Sequence, residues 1–392
     1  MLGSISPVWG MVGAARASYP PTMSSGTRSS ALRRADRQVR EVCADARTAT
    51  ELVNGLSVPL RGGLGVEGMF VGATDPETTV FANVALIENL PASMCAPWMH
   101  NEFLEDDFNK IADLHRTDTT QTLHRASHGR PALSPRHQHI NTPHGFEAEL
   151  RTTFSLGEDC WGVAHLLREQ GMPDFDDADI SWVEGLREQV ALAFRRTVVA
   201  GAAADHPGCP PGIVTLAADG AVQSMSDTAE TLLAELCTNT IDAGPHHQLP
   251  GDAYMVATMA RARAAGQPGP PPVTRVRGVS GRWLTLRGDF TRTGAGDVGG
   301  IVLVIEPARA SEIMPLVVSA YGLTHREQEV LVELTSGRPS GEIATRLFIS
   351  EHTVRDHVKS ILAKTGTRSR GELLNLILHQ HAQPSTTFIH RG

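Results

Sequence analysis

Residues 323–379, LTHREQEVLVELTSGRPSGEIATRLFISEHTVRDHVKSILAKTGTRSRGELLNLILH, leave the backbone little choice. Thr324 followed by Glu327 has the form of a capping box, in which the backbone and side chains at a helix start satisfy each other, and Ser369 with Glu372 repeats it. Gly337 ends the first helix. A second is predicted from about Ser340 to Phe348, burying Ile343, Ala344 and Leu347, and Ser350 is placed to cap a third. In that third helix Val354, Val358, Ile361 and Leu362 fall at i, i+4, i+7 and i+8, a single buried stripe. Arg355 and Lys359, one turn apart, must then project from another face. Two helices joined by so short a turn, the second offering cations, form the arrangement that lets a helix enter the DNA major groove.

Net charge opposes this until it is resolved along the chain. The 392 residues carry 35 basic and 43 acidic side chains, a formal charge of -8. Between Arg346 and Arg370, however, six basic residues face two acidic ones, so the segment is +4. Two of the chain's three lysines, Lys359 and Lys364, lie there, and the third is Lys110.

With Leu323 to Glu327, Glu329-Val330-Leu331, Gly337, Glu342-Ile343-Ala344, Leu347, Ile349-Ser350, Thr353-Val354, His357, Ile361, Lys364, Gly366 and Ser369-Arg370 at fixed spacing, the segment resembles the C-terminal helix-turn-helix of LuxR-type transcriptional regulators. The resemblance implies that Arg355, Asp356 and Lys359 face base edges, and that Thr353, Lys364 and Arg368 lie nearer phosphates. Asp356 keeps two readings: it accepts from a cytosine amino group, or it forms a helix-surface salt bridge to Lys359 or His352. Thr365 and Thr367 stand where the family carries apolar side chains, which predicts looser packing before the fourth helix. The partners implied are double-stranded DNA, a second copy of the chain and RNA polymerase.

The front of the chain reads as two α+β modules. A helix is predicted over Ala31–Asn54, then a hairpin turning at Asp75-Pro76-Glu77, a second strand pair around Gly157-Glu158-Asp159, and a helix over Asp176–Arg196 burying Ile180, Val183, Leu186, Val190 and Phe194. This order, over 31–198, is similar to a GAF-like sensor domain. After a linker at 199–211, a hairpin turning at Asp219-Gly220, two helices and β-rich runs at Val273–Phe290 and Gly300–Glu306 are PAS-like over 212–306. A linker helix at 307–322, the reader at 323–379 and tails at 1–30 and 380–392 complete the division, with Met23 an alternative start. The expected fold is thus multidomain: α+β GAF-like and PAS-like sensor modules followed by an all-α four-helix LuxR-type helix-turn-helix domain.

The heptad-like series Leu32, Ala35, Val39, Val42, Ala46, Ala49 and Val53 either pairs two subunits or packs on its own sheet. Trp98, Trp161 and Phe103 are candidates for lining a small-molecule cavity, or for ordinary core. His115, His124, His128, His137, His139 and His144 crowd into 30 residues, but only His137 and His139 are tightly spaced, so no metal site and no cofactor are expected. Cys43, Cys95, Cys160, Cys209 and Cys237 form no C-x-x-C pair and read as thiols of a reducing cytoplasm. No apolar run reaches 18 residues, so no membrane span is expected. A Walker A pattern, G-x-S-x-G, H-E-x-x-H and a kinase-like constellation are all absent, so no catalytic residue is expected. The alternatives are an enzyme in the front modules under control of the helix-turn-helix, and an interaction protein whose helix-turn-helix docks a partner.

Overall fold

The computed structural model describes residues 25–199, 209–236, 240–242 and 248–377. Cys237, most of the 199–211 linker and the tail from 380 lie outside these residues.

The helix expected over 31–54 is two helices, α1 (Ser25–Asp45) and α2 (Ala49–Leu64). The break is chemical: Thr48, extended at φ -122°, accepts from the Glu51 amide, and the Glu51 carboxylate accepts from the Thr48 amide, a capping box that starts α2. Residues 25–30, expected in the tail, form the start of α1, and Arg28 holds Asp176 and Asp179 at 2.8 and 2.6 Å. Ala35, Val39 and Val53 of the heptad-like series are buried within the chain. A Cβ on Gly55 would lie 2.6 Å from Val42 Cγ1, so glycine allows α1 and α2 to approach this closely.

Strands β1 (Gly68–Thr74) and β2 (Phe81–Glu88) pair antiparallel. Helices α3 (Cys95–Leu104) and α4 (Ile111–Thr117) follow, then β3 (Gln121–Thr122) and α5 (Leu123–Ala126). Strands β4 (Phe146–Leu156) and β5 (Asp159–Glu169) and helix α6 (Asp177–Val199) complete the unit. The sheet order is β2-β1-β5-β4-β3. The five predicted core positions of α6 are all buried, in one cluster with Leu52, Leu56, Met69 and Trp161. On the opposite side Phe81, Trp98, Met99 and Ile111 form a second cluster.

Beside that second cluster lies a buried lattice of charges. Arg136 makes two bonds to Glu149 (2.9 and 2.8 Å), and Arg151 donates to Glu102 at 2.8 Å. Trp98 Nε1 donates to His165 Nδ1 at 3.0 Å, while His165 Nε2 meets Glu149 at 3.1 Å. Because Nδ1 accepts, the ring's proton sits on Nε2, and burial draws His165 below its ordinary value despite the Glu149 charge. Burial acts on Glu149 in the opposite sense, but Arg136 and His165 outweigh it and hold the carboxyl well below the usual range. Here Trp98 is committed to the core. His137 is buried in the short helix 137–141, whereas His115 and His144 bond to local hydroxyls and carbonyls. Among the described residues no three His, Cys, Asp or Glu are grouped to hold a metal.

The second α+β unit begins with β6 (Gly212–Leu216), β7 (Val222–Met225) and α7 (Asp227–Leu233). A small pair, β8 (Thr240–Asp242) and β9 (Gln248–Pro250), was not foreseen. Helix α8 (Gly251–Ala264) follows, then β10 (Val273–Arg277), β11 (Trp283–Arg292) and β12 (Val298–Pro307). The single run expected over 273–290 is thus two strands, reversed through Gly281 at φ 84°. The sheet order is β10-β11-β12-β6-β7. Numbering each sheet's own strands one to five gives 2-1-5-4-3 in both, so the two units share a topology.

The two sheets meet along their edges. Thr274 on β10 donates to the Phe81 carbonyl on β2 at 3.2 Å, and Arg275 grips Asp75 through Nε and Nη2, both at 2.6 Å. Arg275 also donates to the Glu312 carbonyl at 2.8 Å. Met255 and Met259 of α8 are buried against the cluster around Trp98. Each sheet thereby covers an edge that would otherwise expose unpaired backbone.

Helix α9 (Ala310–Ala320) ties this body to the C-terminal segment. Ile313, Leu316, Val317 and Ala320 sit in the core cluster of the first unit, while Val318 sits in the cluster of the last four helices. Those are α10 (His325–Thr335), α11 (Ser340–Leu347), α12 (Glu351–Thr365) and α13 (Arg370–Asn375). The chain is therefore multidomain, two α+β units followed by an all-α one. Among the described residues no helix is long and apolar enough to cross a membrane.

Candidate nucleic-acid interface

Val354, Val358 and Ile361 are buried and Leu362 is partly so, as the stripe requires, and they close over Val330, Leu331, Leu334, Ile343 and Leu373. Ser350 caps α12 by accepting from the Thr353 amide at 3.0 Å, and its hydroxyl meets Thr353 Oγ1 at 2.8 Å. Between α11 and α12, Phe348 takes the left-handed conformation at φ 54°, and its side chain is 94% exposed. The second helix therefore stops one residue earlier than expected, at Leu347.

The inner side of α12 is fastened to α10 by a single carboxylate. Glu327 closes the predicted capping box, accepting from the Thr324 amide at 2.7 Å. It also accepts from Ser360 Oγ and Lys364 Nζ of α12, both at 2.6 Å, and is only 4% exposed. Burial pushes its carboxyl up, yet the bonds from Lys364, Ser360 and Thr324 outweigh that and bring it down to about 2. Lys364 further donates to the Gly322 carbonyl at 3.1 Å. The role the resemblance implies for Lys364, near phosphates, thus competes with a structural one that no local spacing reveals. Arg326 adds a second tie, bonding the Leu347 carbonyl at the end of α11 at 2.7 Å.

The outward side of α12 is polar and carries two cations, Arg355 and Lys359, beside two carboxylates, Glu351 and Asp356. Arg355, Asp356 and Lys359 are all exposed. Arg355 forms an i,i+4 pair with Glu351 at 2.9 Å, and Asp356 meets His352 at 2.9 Å, the helix-surface alternative for that carboxylate. Such exposed pairs are worth about 0.3–0.5 kcal/mol, little enough to be exchanged for a ligand contact. Among the described residues the Lys359 and Arg368 side chains make no ion pair or hydrogen bond. By contrast Arg346 meets Glu333 at 3.0 Å and Arg370 donates to Ser340 at 2.5 Å. Of the cations that make the segment +4, Lys359 and Arg368 are thus left facing solvent, and Arg355 is held only loosely.

The looser packing expected at Thr365 and Thr367 is compensated by polarity. Their hydroxyls bond each other at 2.9 Å, and Thr365 donates to the Ile361 carbonyl at 2.8 Å. A helix so held can present Arg355 and Lys359 on its outward face to a groove, with capped backbone at its start.

Residues 322–377 match the family model of bacterial regulatory proteins of the luxR family, GerE. Over 50 residues the chain is 44% identical to the spore germination protein GerE of Bacillus subtilis strain 168, covering 13% of this chain and 68% of that protein. It is 50% identical over 50 residues to an uncharacterised transcriptional regulatory protein, YhcZ, of the same strain, covering 13% and 23%. With the CsgBAC operon transcriptional regulatory protein of Escherichia coli K12 it shares 42% over 53 residues, covering 14% and 24%. The chain thus spans about a quarter of the length of the latter two relatives. A solved GAF domain from an Acinetobacter phosphoenolpyruvate-protein phosphotransferase covers 44% of this chain and 94% of its own, at 13% identity and a TM-score of 0.28, a likeness too loose to define the fold.

Proposed function

The chain belongs to the LuxR family of bacterial regulatory proteins, and from that premise we propose that it is a cytoplasmic transcriptional regulator that binds double-stranded DNA sequence-specifically. The observation that carries the proposal is the division of α12 into a face pinned by Glu327 and a face offering Arg355 and Lys359 to solvent. In this reading Arg355, Asp356 and Lys359 address base edges, while Thr353, Arg368 and, secondarily, Lys364 approach phosphates. Phosphate contacts supply affinity and base contacts supply choice.

The front 31–198 and 212–306 act as GAF-like and PAS-like sensor modules. Their shared strand order and their joined edges support treating them as one sensing body. A small molecule is the signal, and α9, with side chains in both the sensor core and the reader core, carries it. Binding as a homodimer to paired half-sites and contact with RNA polymerase complete the proposal. Gel shifts of the full chain on genomic fragments test it. A retained sequence preference, with affinity falling by about 0.9 log units per neutralised phosphate for each log unit of salt, supports it. Salt-insensitive or indiscriminate binding contradicts it.

A further inference from the structure

Helices α1 and α2 lie side by side and antiparallel, with Gly55 against Val42 and Gly63 against Ala35. The heptad-like positions Ala35, Val39 and Val53 are used up inside the chain, which leaves the outward side of the pair. There the two helices border an open groove of about 430 Å³. Val42, Gly55 and Val58 give it an apolar lining, and Val58 stands 68% exposed. Gln38, Glu41 and Asp45 edge it along α1.

These three continue a line that begins one turn earlier. Arg34, Gln38, Glu41 and Asp45 are spaced i, i+4, i+7 and i+11, a series that returns to the same face of the helix over three turns. Its charge is uneven, a cation at the N-terminal end and two carboxylates at the C-terminal end. Arg34 and Asp45 are exposed, and among the described residues neither they nor Gln38 make an ion pair or hydrogen bond. Glu41 reaches Arg37 at 3.8 Å, in the open. On the neighbouring strip, by contrast, Arg40 is held by Asp36 at 2.9 Å.

The spacing is symmetric as well as linear. Positions 34 and 45 share one midpoint with positions 38 and 41, between Val39 and Arg40. A second α1 laid antiparallel about that midpoint sets guanidinium against carboxylate and amide against carboxylate, and makes each contact twice, as a two-fold interface requires. Laid parallel and in register, the same line sets like charge on like, which is costly. Charge complementarity therefore selects both the occupant of this face and its direction.

We propose that the chain pairs with a second copy through the outward face of α1 and α2, with Arg34 against the partner's Asp45 and Gln38 against the partner's Glu41. The partner's α1 then covers the groove and Val58, and the two helix pairs form a four-helix arrangement. The proposal rests on the homodimer reading above and names the surface that makes the dimer. It uses no residue of α10–α13.

Sedimentation equilibrium of the full chain without DNA, over a concentration series, tests it. The wild-type chain should be a dimer. Arg34→Glu and Asp45→Arg each reverse the charge at two symmetric contacts and should weaken the dimer about tenfold or more. Combined in one chain they restore opposite charges across the interface, and the dissociation constant should return to within about threefold of wild type. Val58→Glu, which puts a charge in the covered groove, should weaken the dimer as the single reversals do. All three positions are exposed, so the variants should keep the fold, which circular dichroism checks. A monomeric wild type, a dimer untouched by the single reversals, or a double variant no better than either single one overturns the proposal. Gel shifts on the same proteins are read separately. A dimer that obeys the charge reversals but binds no duplex upholds this face and overturns the regulator reading, whereas duplex binding by a dimer that ignores the reversals does the opposite.

Discussion

Replacing Glu327 by Gln tests how the reader holds its recognition helix. The carboxylate accepts from Thr324, Ser360 and Lys364 at 2.6–2.7 Å in a buried position. Its pKa of about 2, against an ordinary value of 4.5, corresponds to roughly 3 kcal/mol of stability at neutral pH. The sign follows from the depressed folded value: the stabilisation is complete above the ordinary pKa and is lost as pH falls from about 4.5 through 2. The amide keeps one acceptor, loses the charge and faces the Lys364 ammonium with half its bonds. The variant should therefore open the 324–365 region more readily by about 2–3 kcal/mol at pH 7, and the difference should shrink towards pH 2.5. Native-state hydrogen exchange over α10 and α12, corrected for intrinsic rates, measures both. A difference below about 0.5 kcal/mol at pH 7, or one that does not change with pH, refutes the reasoning.

Lys364→Gln should lower reader stability and, in a double-mutant cycle with Glu327→Gln, show a coupling of about 1–3 kcal/mol by the same exchange measurement. Arg368→Ala should leave stability unchanged and reduce the salt slope of duplex binding by about one unit, read from affinities across a salt series. Arg275→Gln strands the buried Asp75 carboxylate and should destabilise the joined front units by about 3–5 kcal/mol in urea unfolding followed by tryptophan fluorescence. Ser350→Ala removes the cap of α12 and should cost about 1 kcal/mol, visible in the same exchange experiment.

What the sequence made legible was local. The caps at Thr324, Ser350 and Ser369, the stripe Val354–Val358–Ile361 and the two hairpin turns at residues 75–77 and 157–159 each depend on residues a few positions apart, and each is present in the structure. Thr48 and Glu51 carry the same capping signal, but the helical periodicity runs smoothly across them and hides the break. The contacts that join the parts were out of reach. Glu327 meets Lys364 across 37 positions, and Asp75 meets Arg275 across 200, so only the folded chain brings them together. In the site, Arg355 and Lys359 could be placed on an outward face from spacing alone. That Arg355 is loosely paired and Lys364 structurally engaged depends on neighbours that spacing does not report.

The most direct measurement of the central claim is in vitro selection from random duplexes with the full chain and with Lys359→Ala. The wild-type chain should enrich one motif, and the variant should lose about 1–3 kcal/mol of discrimination at one or two positions within it while the others persist. No enriched motif with the wild type, or the same motif at unchanged discrimination in the variant, contradicts the assignment of α12 as the element that reads DNA.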